Sequence, residues 1–464
     1  MPPQIALLLW ICISVAMFAM LPALRAFLLT YLIGYLVLPV EVANEWNWQG
    51  SIVFTQSLRI DKLTACNIGA VLGTVLFASQ RFSRFRLHWV DAAYGMVLVG
   101  LFLTSLVNGL GAKDGLSHGI EELRQLLPLL LLSRLYLSDV DALYEAMRAI
   151  IAAAFLYAFL SVAEWRFSPQ AHRIAYGYFQ HSFDQFARYG HFRPVGFLHH
   201  AIELAFFMGT SAAMAAWLWY KKLLRPLWGV IPAPLVFCTI LVGLITTLTY
   251  SGYGAFLLAI AVLALAVMTR SRWVLLILPV GAVIWMAGRY SNTIDASMLL
   301  RTAGYFDTTR QESLEYRLTA ERLHLDTASQ SLLLGKGALN GIVRDADGNN
   351  VKAVDAWWLI TLVFYGLVGI CGWYAIWCGG LVETLRRWRK LTPDFRTLAA
   401  LIAVLIGAEF IDFLFNSFPS PFLLMLDMGL VGALQAYRPA PAVSYLPVYD
   451  FIDPADIPEG AALP

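Results

Sequence analysis

Charged residues are scarce in this chain of 464 residues. Only 14% of them are Asp, Glu, Lys or Arg, whereas soluble domains carry about 25%. The hydrophobic fraction is 59% and the mean hydropathy is +0.65. There is too little charge to cover the surface of a soluble enzyme, and the composition is equally unlike that of disordered, collagen-like or coiled-coil proteins. These values indicate a polytopic membrane protein.

Cysteine motifs and a strong net charge are also lacking. The five cysteines lie in or beside apolar runs, and none of them shows CxxC or zinc-type spacing. We therefore expect no disulfide framework and no zinc site. The formal net charge of +2 gives no indication of nucleic acid as a partner.

Long apolar runs dominate what the sequence does contain. A helix needs about 20 apolar residues to cross about 30 Å of hydrocarbon. The runs predict an all-α, polytopic membrane helix bundle at 1–436, with about 12–13 transmembrane helices, and a flexible cytoplasmic tail at 437–464. The candidate spans are 5–21, 25–40, 63–80, 90–107, 126–137, 144–164, 199–219, 228–248, 253–269, 273–288, 356–378, 397–417 and 421–436.

Basic residues indicate the orientation of these spans. Four short loops rich in Lys and Arg fall on one face of the predicted bundle, which the positive-inside rule makes cytoplasmic. These loops contain Arg81–Arg86, Lys221–Arg225, Arg270–Arg272 and Arg386–Arg396. The opposite face, periplasmic in a bacterium, carries the longer loops 41–62, 108–125, 165–198 and 289–355. The last loop, of about 67 residues, is too long for a simple connection between helices and contains a helix-compatible stretch at 311–333.

A first candidate site lies where the span near residue 199 begins. Arg193 offers a fork of donors for a phosphate or carboxylate, although it could equally snorkel to lipid headgroups. Gly196 would let a ligand or a neighbouring helix approach the backbone. His199 and Glu203 are four residues apart and share a helix face. His200 points about 100° away from His199 on a helix, so we do not expect a metal site.

Two further segments have both a structural and a functional interpretation. Residues 249–254 are typical of a tight turn with glycine for its geometry, or else Tyr250 faces a sugar. In the long loop, Arg317 and Glu321 have the spacing of a solvated helix with ion pairs. Gly335-Lys336-Gly337 lacks the GK[ST] of a nucleotide-binding loop.

Carboxylates at membrane boundaries complete the candidates. Asp355 lies where the long loop re-enters the membrane, and partial desolvation there favours a general base. The adjacent Trp357 and Trp358 form an interfacial belt or stack on sugar rings. Glu409 and Asp412 lie within a late span, where we expect a structural ion pair with arginines across the bundle.

In their order and spacing, these residues resemble the O-antigen ligase and O-antigen polymerase family of bacterial envelope enzymes. In that family an arginine followed by a glycine opens a middle span, as Arg193 and Gly196 do here. An arginine and a Gly-x-Gly lie in a large periplasmic loop, which Arg317 and the glycines at 335 and 337 resemble. The likeness covers about residues 190–370, and its last part is the spacing from Asp355-Ala356 to Gly366 and Gly369.

The sequence departs from the family pattern at two positions. The family's Ser-Arg pair is missing, because Ser251 is followed by Gly252. The histidine of the ligases is replaced by Asp355. These departures favour a polymerase of exopolysaccharide or O-antigen repeat units over a lipopolysaccharide ligase.

The resemblance implies a glycosyltransferase in the bacterial inner membrane whose active site faces the periplasm. Its donor is a polyprenyl-diphosphate-linked oligosaccharide and its acceptor a second lipid-linked unit, so no cofactor, nucleotide or metal is needed. The implied partners are membrane lipid, a chain-length regulator, a flippase and export proteins. Asp355 is the expected base, and Arg193 and Arg317 are expected to stabilise the leaving diphosphate. The expected substrate-binding residues are Arg322, Gly196, His199, His200, Tyr250 and Trp357.

Two alternatives stay open at this point. A glycan ligase would share the donor site and transfer finished polymer to another lipid or to protein. A polysaccharide or lipid-linked glycan transporter would explain the many spans and the carboxylates at Glu409 and Asp412. It would not explain a long loop flanked by Arg317 and Asp355.

Overall fold

The computed structural model describes residues 1–44, 47–55, 58–181, 183–188, 190–306, 308–343 and 355–438. Helices make up 75% of the structure, which confirms the predicted all-α, polytopic bundle. Most of the predicted tail at 437–464 and part of the long loop lie outside the described residues. The β-structure of the described segments consists of short antiparallel pairs. They are β1 (Val42–Asn44) with β2 (Asn47–Gln49), β3 (Ile52–Val53) with β4 (Arg59–Ile60), and β5 (Ala187–Arg188) with β6 (His191–Phe192).

The helices follow the predicted apolar runs closely, and each candidate span coincides with a helix. In chain order the α-helices are α1 (Pro3–Met20), α2 (Ala23–Val37), α3 (Lys62–Phe77), α4 (Trp89–Val107), α5 (Ala112–Tyr136), α6 (Val140–Phe167), α7 (Ala171–Tyr176), α8 (Ala201–Tyr220), α9 (Ala233–Thr246), α10 (Tyr250–Thr269), α11 (Ile277–Tyr290), α12 (Ser297–Phe306), α13 (Thr308–Ser329), α14 (Gly337–Asn340), α15 (Trp357–Trp377), α16 (Gly379–Arg387), α17 (Pro393–Asp412) and α18 (Pro421–Ala436).

Seven helical segments of the described residues are long and apolar enough to cross a membrane. They are α1, α4, α6, α8, α10, α15 and the segment Arg272–Tyr290, which joins a 3₁₀ turn to α11. Four shorter apolar helices, α2, α3, α9 and α18, lie on predicted spans as well. The chain is therefore a multi-pass membrane protein.

Helix α5 is longer than the sequence predicts. Only 126–137 was expected to be a span, but the helix begins at Ala112 and includes most of the expected loop 108–125. Its polar residues find partners on neighbouring helices: Arg124 pairs with Asp61 at 3.0 Å, and Asp114 accepts a hydrogen bond from Ser105. Because tertiary partners satisfy these side chains, the helix continues where local hydropathy falls.

Contacts between loops place the four basic segments at the same end of the bundle, as predicted. Arg272 donates to the carbonyl of Leu385 at 2.9 Å, and Gln435 donates to the carbonyl of Leu87 at 3.3 Å. Tyr144, near the start of α6, donates to a carbonyl of the 221–226 loop. We call this the basic end. The segments that meet here are 81–88, 134–144, 221–226, 270–272 and 385–396.

The opposite end, which we call the loop end, gathers the longer connections. Arg193, in the segment before α8, bonds to Thr249 before α10. Ser251 on α10 bonds to Asp412 at the end of α17. The predicted helix at 311–333 is present as α13, and it belongs to this end because Arg317 reaches the turn after α17.

Candidate functional site

Arg317 and Asp355 form an ion pair at the loop end. Arg317 Nη2 lies 2.8 Å from Asp355 Oδ2, and the two side chains are 32% and 39% exposed. Arg317 Nη1 also donates to the carbonyl of Phe415 at 3.2 Å. The structure thus brings together two residues that the sequence marks as catalytic candidates. The pair is accessible to a ligand, because neither side chain is buried.

Close backbone contacts at glycines connect the segments that carry Arg317 and Asp355. Helix α15 is interrupted at Gly366, which has φ +63° and ψ −160°, a conformation open essentially to glycine alone. The turn after α13 fills the gap: Lys336 N–H donates to Val363 O at 2.8 Å, and Leu367 N–H donates to Leu332 O at 2.8 Å. The Gly-x-Gly of the long loop and the first glycine after Asp355 therefore pack backbone to backbone. Helix α13 carries Arg317, and this contact joins the turn after that helix to α15, the helix that follows Asp355.

Arg193 is a second cation at the loop end, and it is buried. Arg193 is only 5% exposed, and its Nη2 donates to Thr249 Oγ1 at 3.1 Å. A buried guanidinium is a stronger partner for an anion than an exposed one, because water screens it less. Arg193 and Arg317 both act electrostatically on His200, which lies at the start of α8.

His200 is held as a neutral ring. Burial first, and then the positive charge of Arg193, lowers the pKa of His200 to about 3. Its Nδ1 accepts from the N–H of Ile202 at 3.1 Å and so caps α8. The ring stacks on Phe418 with centroids 5.3 Å apart. Because Nδ1 is the acceptor, Nε2 carries the proton of the neutral ring, and His200 is a donor rather than a base.

His199 and Glu203 are in contact, but they do not share a helix face as predicted, because α8 begins at Ala201 and both histidines precede it. His199 Nδ1 lies 3.1 Å from Glu203 Oε2, and the His199 N–H donates to the same oxygen at 2.8 Å. The other oxygen of Glu203 accepts from the Tyr35 hydroxyl. The Lys62 amino group lies 4.0 Å from the centroid of the Tyr35 ring and donates to Phe197 O at 3.2 Å. Within the described segments no three His, Cys, Asp or Glu side chains converge as metal ligands would.

Lys62 and Tyr35 were not among the predicted site residues. Lys62 is only 2% exposed, although lysine is rarely fully buried. The sequence could have indicated Lys62, because Asp61-Lys62 lies directly before an apolar run, where a charge is costly. Tyr35 could not be singled out from the sequence, since it is one of three aromatic residues in α2.

Gly196 serves the packing of the site rather than an open approach. It has φ +60°, and a Cβ there would lie 2.7 Å from the ring of Tyr157. The N–H groups of Val195 and Gly196 donate to one oxygen of Glu164, at 2.9 and 2.8 Å. Glu164 is 3% exposed and also accepts from Ala171 N–H. The sequence analysis did not predict a role for Glu164. Its position at the polar end of an apolar run could have indicated one.

The expected ion pair of Glu409 and Asp412 is wrong for the described residues. Asp412 Oδ1 accepts from Ser251 Oγ at 2.5 Å and from Asn416 Nδ2 at 2.7 Å. Glu409 Oε1 accepts from Ser420 N–H at 2.7 Å. Short polar side chains and the Ser420 N–H before α18 bond to these carboxylates, and no arginine of the described segments forms an ion pair with them. Asp412 thereby connects α10 to the turn that receives Arg317.

The long loop also pairs differently from the expectation. Glu321 does not bond to Arg317 one turn before it, but to Arg289 at the end of α11, at 2.5 Å. Both side chains of that pair are buried, at 3% and 8% exposure. Burial raises the pKa of Glu321 in spite of this bond. Because α13 packs against the ends of the spans, long-range partners replace the predicted pair along the helix, and Arg322 is exposed beside Glu321.

Two predicted contacts for sugars have different surroundings. Tyr250 does not lie in a tight turn, because α10 begins at this residue; its side chain is 55% exposed. Trp357 is partly buried and stacks on Phe413 with centroids 4.5 Å apart. Gly252 lies against α8: a Cβ there would be 2.2 Å from Ala205 O. A larger residue at this position would force α8 and α10 apart.

The loop end therefore offers two arginines, an accessible carboxylate and a neutral histidine donor. Such a set can hold a phosphate-bearing group and accept a proton beside it. Comparison of the chain with protein-family models, with curated proteins and with solved structures finds no match.

Proposed function

We propose that the protein is a membrane glycosyltransferase that joins polyprenyl-diphosphate-linked oligosaccharide repeat units at the periplasmic face of a bacterial inner membrane. The observation that carries this proposal is the ion pair of Arg317 and Asp355. A cation for the leaving diphosphate and a carboxylate for the acceptor proton must lie side by side in such an enzyme. Exopolysaccharide or O-antigen biosynthesis is the corresponding process.

The arginines act on the donor. As the bond between the anomeric carbon and the diphosphate breaks, negative charge grows on the leaving phosphate oxygens. Arg317 is accessible to these oxygens and presents a planar set of N–H donors. Arg193 adds a buried, weakly screened positive charge on the same side of the bundle. Charge stabilisation of this kind contributes about 10²–10³ in rate for each donor.

Asp355 acts on the acceptor. An acceptor hydroxyl attacks the anomeric carbon, its proton passes to the carboxylate, and the diphosphate leaves with the bonding electron pair. When the diphosphate engages Arg317, the guanidinium turns from Asp355 and exposes the carboxylate oxygen that receives the proton. One displacement inverts the anomeric configuration, which the anomeric analysis of product and donor tests directly.

A transporter for the same lipid-linked glycans is the second candidate. This candidate is supported by the carboxylates inside the bundle, since Glu409 is 1% exposed and Asp427 is fully buried. A transporter of this kind would require a buried carboxylate and tolerate the loss of Asp355. The two candidates therefore differ in which substitution abolishes function.

The test is complementation of a deletion strain. Wild type, Asp355→Asn, Glu409→Gln and the control Asp326→Asn are compared, and polyprenyl-linked glycans are weighed by mass spectrometry. Asp326 is an exposed carboxylate on α13, so its loss leaves polymer unchanged. Under the proposal, Asp355→Asn accumulates single lipid-linked repeat units. Long unattached polymer would instead favour a ligase, and normal polymer would remove Asp355 from the chemistry.

A further inference from the structure

A cavity of about 410 Å³ opens at the basic end, the opposite end of the bundle from Arg317 and Asp355. It lies between the end of α10 and the start of α17. Four of its seven lining residues are arginines, two are tryptophans, and none is acidic. The lining residues are Arg270, Ser271, Arg272, Trp273, Trp388, Arg389 and Arg396.

Two of the four arginines, Arg272 and Arg396, are held by backbone carbonyl groups instead of carboxylates. Arg272 donates to Leu385 O at 2.9 Å. Arg396 Nε donates to Trp388 O at 2.9 Å, and its Nη2 donates to Arg389 O at 3.2 Å. None of the four lining arginines forms a salt bridge with a described residue. The carbonyls orient the guanidinium groups without neutralising them, so the cavity keeps a concentrated positive charge.

The carboxylate on the adjacent helix is already occupied. Glu383 on α16 pairs with Arg386 at 3.1 Å and with Arg387 at 3.0 Å. His88 Nε2 lies 3.4 Å from the same carboxylate. Glu383 therefore compensates a neighbouring set of basic side chains and leaves the arginines of the cavity to an outside anion.

Aromatic residues indicate where that anion comes from. Trp273 is 59% exposed, and the Arg272 guanidinium stacks over its ring at 4.9 Å. Exposed tryptophans favour the boundary between acyl chains and headgroups. Met268, just before this segment on α10, is 79% exposed, as a side chain in contact with acyl chains would be.

We propose that this cavity binds the phosphate headgroup of an anionic phospholipid. Guanidinium groups match phosphate oxygens in geometry and charge, and basic pockets at helix ends are suited to such headgroups. A soluble phosphate would satisfy the same arginines but would gain nothing from the exposed apolar surface beside them. The proposal is independent of the reaction at the loop end.

The rival occupant is the chain's own C-terminal segment. The described chain leaves the bundle beside the cavity, where the Tyr437 hydroxyl donates to Lys390 O at 2.9 Å. The residues after Arg438 contain no Lys or Arg and four acids. These are Asp450, Asp453, Asp456 and Glu459.

Native mass spectrometry of the purified, delipidated full-length protein tests the proposal. The protein is titrated with phosphatidylglycerol or phosphatidylcholine, with and without inorganic phosphate. The variant Arg270→Gln/Arg389→Gln removes two exposed arginines of the cavity that make no side-chain hydrogen bond within the described residues. The control Arg84→Gln/Arg86→Gln removes two exposed arginines of the same end that do not line the cavity.

Wild type and the control are expected to bind phosphatidylglycerol in preference to phosphatidylcholine, and the cavity variant to bind it about 10- to 30-fold more weakly. Equal binding of both lipids, or equal weakening in the control, would overturn the proposal. So would displacement of the lipid by inorganic phosphate. If phosphatidylglycerol binds only after the four tail acids are changed to Asn and Gln, the tail is the occupant and the proposal fails.

Discussion

The two ends of the bundle treat their arginines differently. At the loop end, arginines meet carboxylates in defined pairs: Arg317 with Asp355, Arg289 with Glu321, Arg124 with Asp61, and Arg59 with Glu41. At the basic end, Arg134 also pairs with Asp91, and Arg386 and Arg387 pair with Glu383. A further set, Arg272, Arg396 and Arg81, bonds to backbone carbonyls. Pairing gives exact positions, which a reaction needs. Surplus charge gives orientation in the membrane and attraction for anions, which need less precise geometry.

The largest effect is expected at the accessible pair of the loop end. Under the proposed function, Arg317→Gln would remove a donor to the leaving diphosphate and should lower the rate of repeat-unit joining about 10²–10³-fold. Arg301→Gln changes an exposed arginine on the neighbouring helix α12, outside the pair, and should change the rate less than about threefold. Turnover of lipid-linked repeat units in membrane vesicles measures both. Equal losses in the two variants would show that Arg317 contributes charge only.

A second comparison sets a buried pair of the loop end against an exposed pair of the basic end. Glu321→Ala leaves Arg289 buried and unpaired, which should cost about 3–5 kcal/mol of unfolding free energy. Glu145→Ala breaks the pair with Arg25, whose side chains are 66% and 42% exposed, and should cost less than about 1 kcal/mol. Denaturant titration in detergent measures the difference. Similar costs would mean that burial does not distinguish the two ends.

The break in α15 predicts a smaller effect on stability. Gly366→Ala places a Cβ 2.4 Å from Leu333 O in a conformation reserved for glycine, and should cost about 1–3 kcal/mol. Gly95→Ala on α4 meets no atom within 4 Å and should be neutral or stabilise by up to about 1 kcal/mol. Thermal unfolding in detergent separates the two. A neutral Gly366→Ala would mean that the contact between α15 and the turn after α13 gives way easily.

Acid should weaken the loop end through a buried histidine. Burial lowers the pKa of His172 to about 4, and its Nε2 accepts from Val40 N–H at 3.1 Å. Between pH 6.5 and about 4 the unfolded chain binds a proton at this residue and the folded chain does not. Stability therefore falls as the pH falls through that window, by about 1.4 kcal/mol for each pH unit.

His172→Asn should remove one proton from that pH dependence. Unfolding free energies at several pH values between 4.5 and 7 give the slope for wild type and variant. Gln80→Asn changes an exposed residue that carries no titratable group and serves as the control with an unchanged slope. An unchanged slope in His172→Asn would show that its neutral ring does not govern acid sensitivity.

Predictions from the sequence succeeded where the cause is local. Hydropathy and basic loops located the helices, and the spacing at 311–333 indicated α13. They failed where partners come from afar. Asp412 accepts hydrogen bonds from Ser251 and Asn416 instead of pairing with an arginine. Tyr250 begins a helix instead of lying in a turn, because α10 packs against α8.

The membrane class, the apolar helices and the shared end of the basic loops follow from composition and local pattern, because each depends on residues within about 20 positions of one another. The pairing of Arg317 with Asp355, the burial of Lys62 over Tyr35 and the arginine-lined cavity follow from the tertiary structure alone. These arise where separate helices end side by side. Their geometry depends on packing between elements, which neither composition nor spacing records.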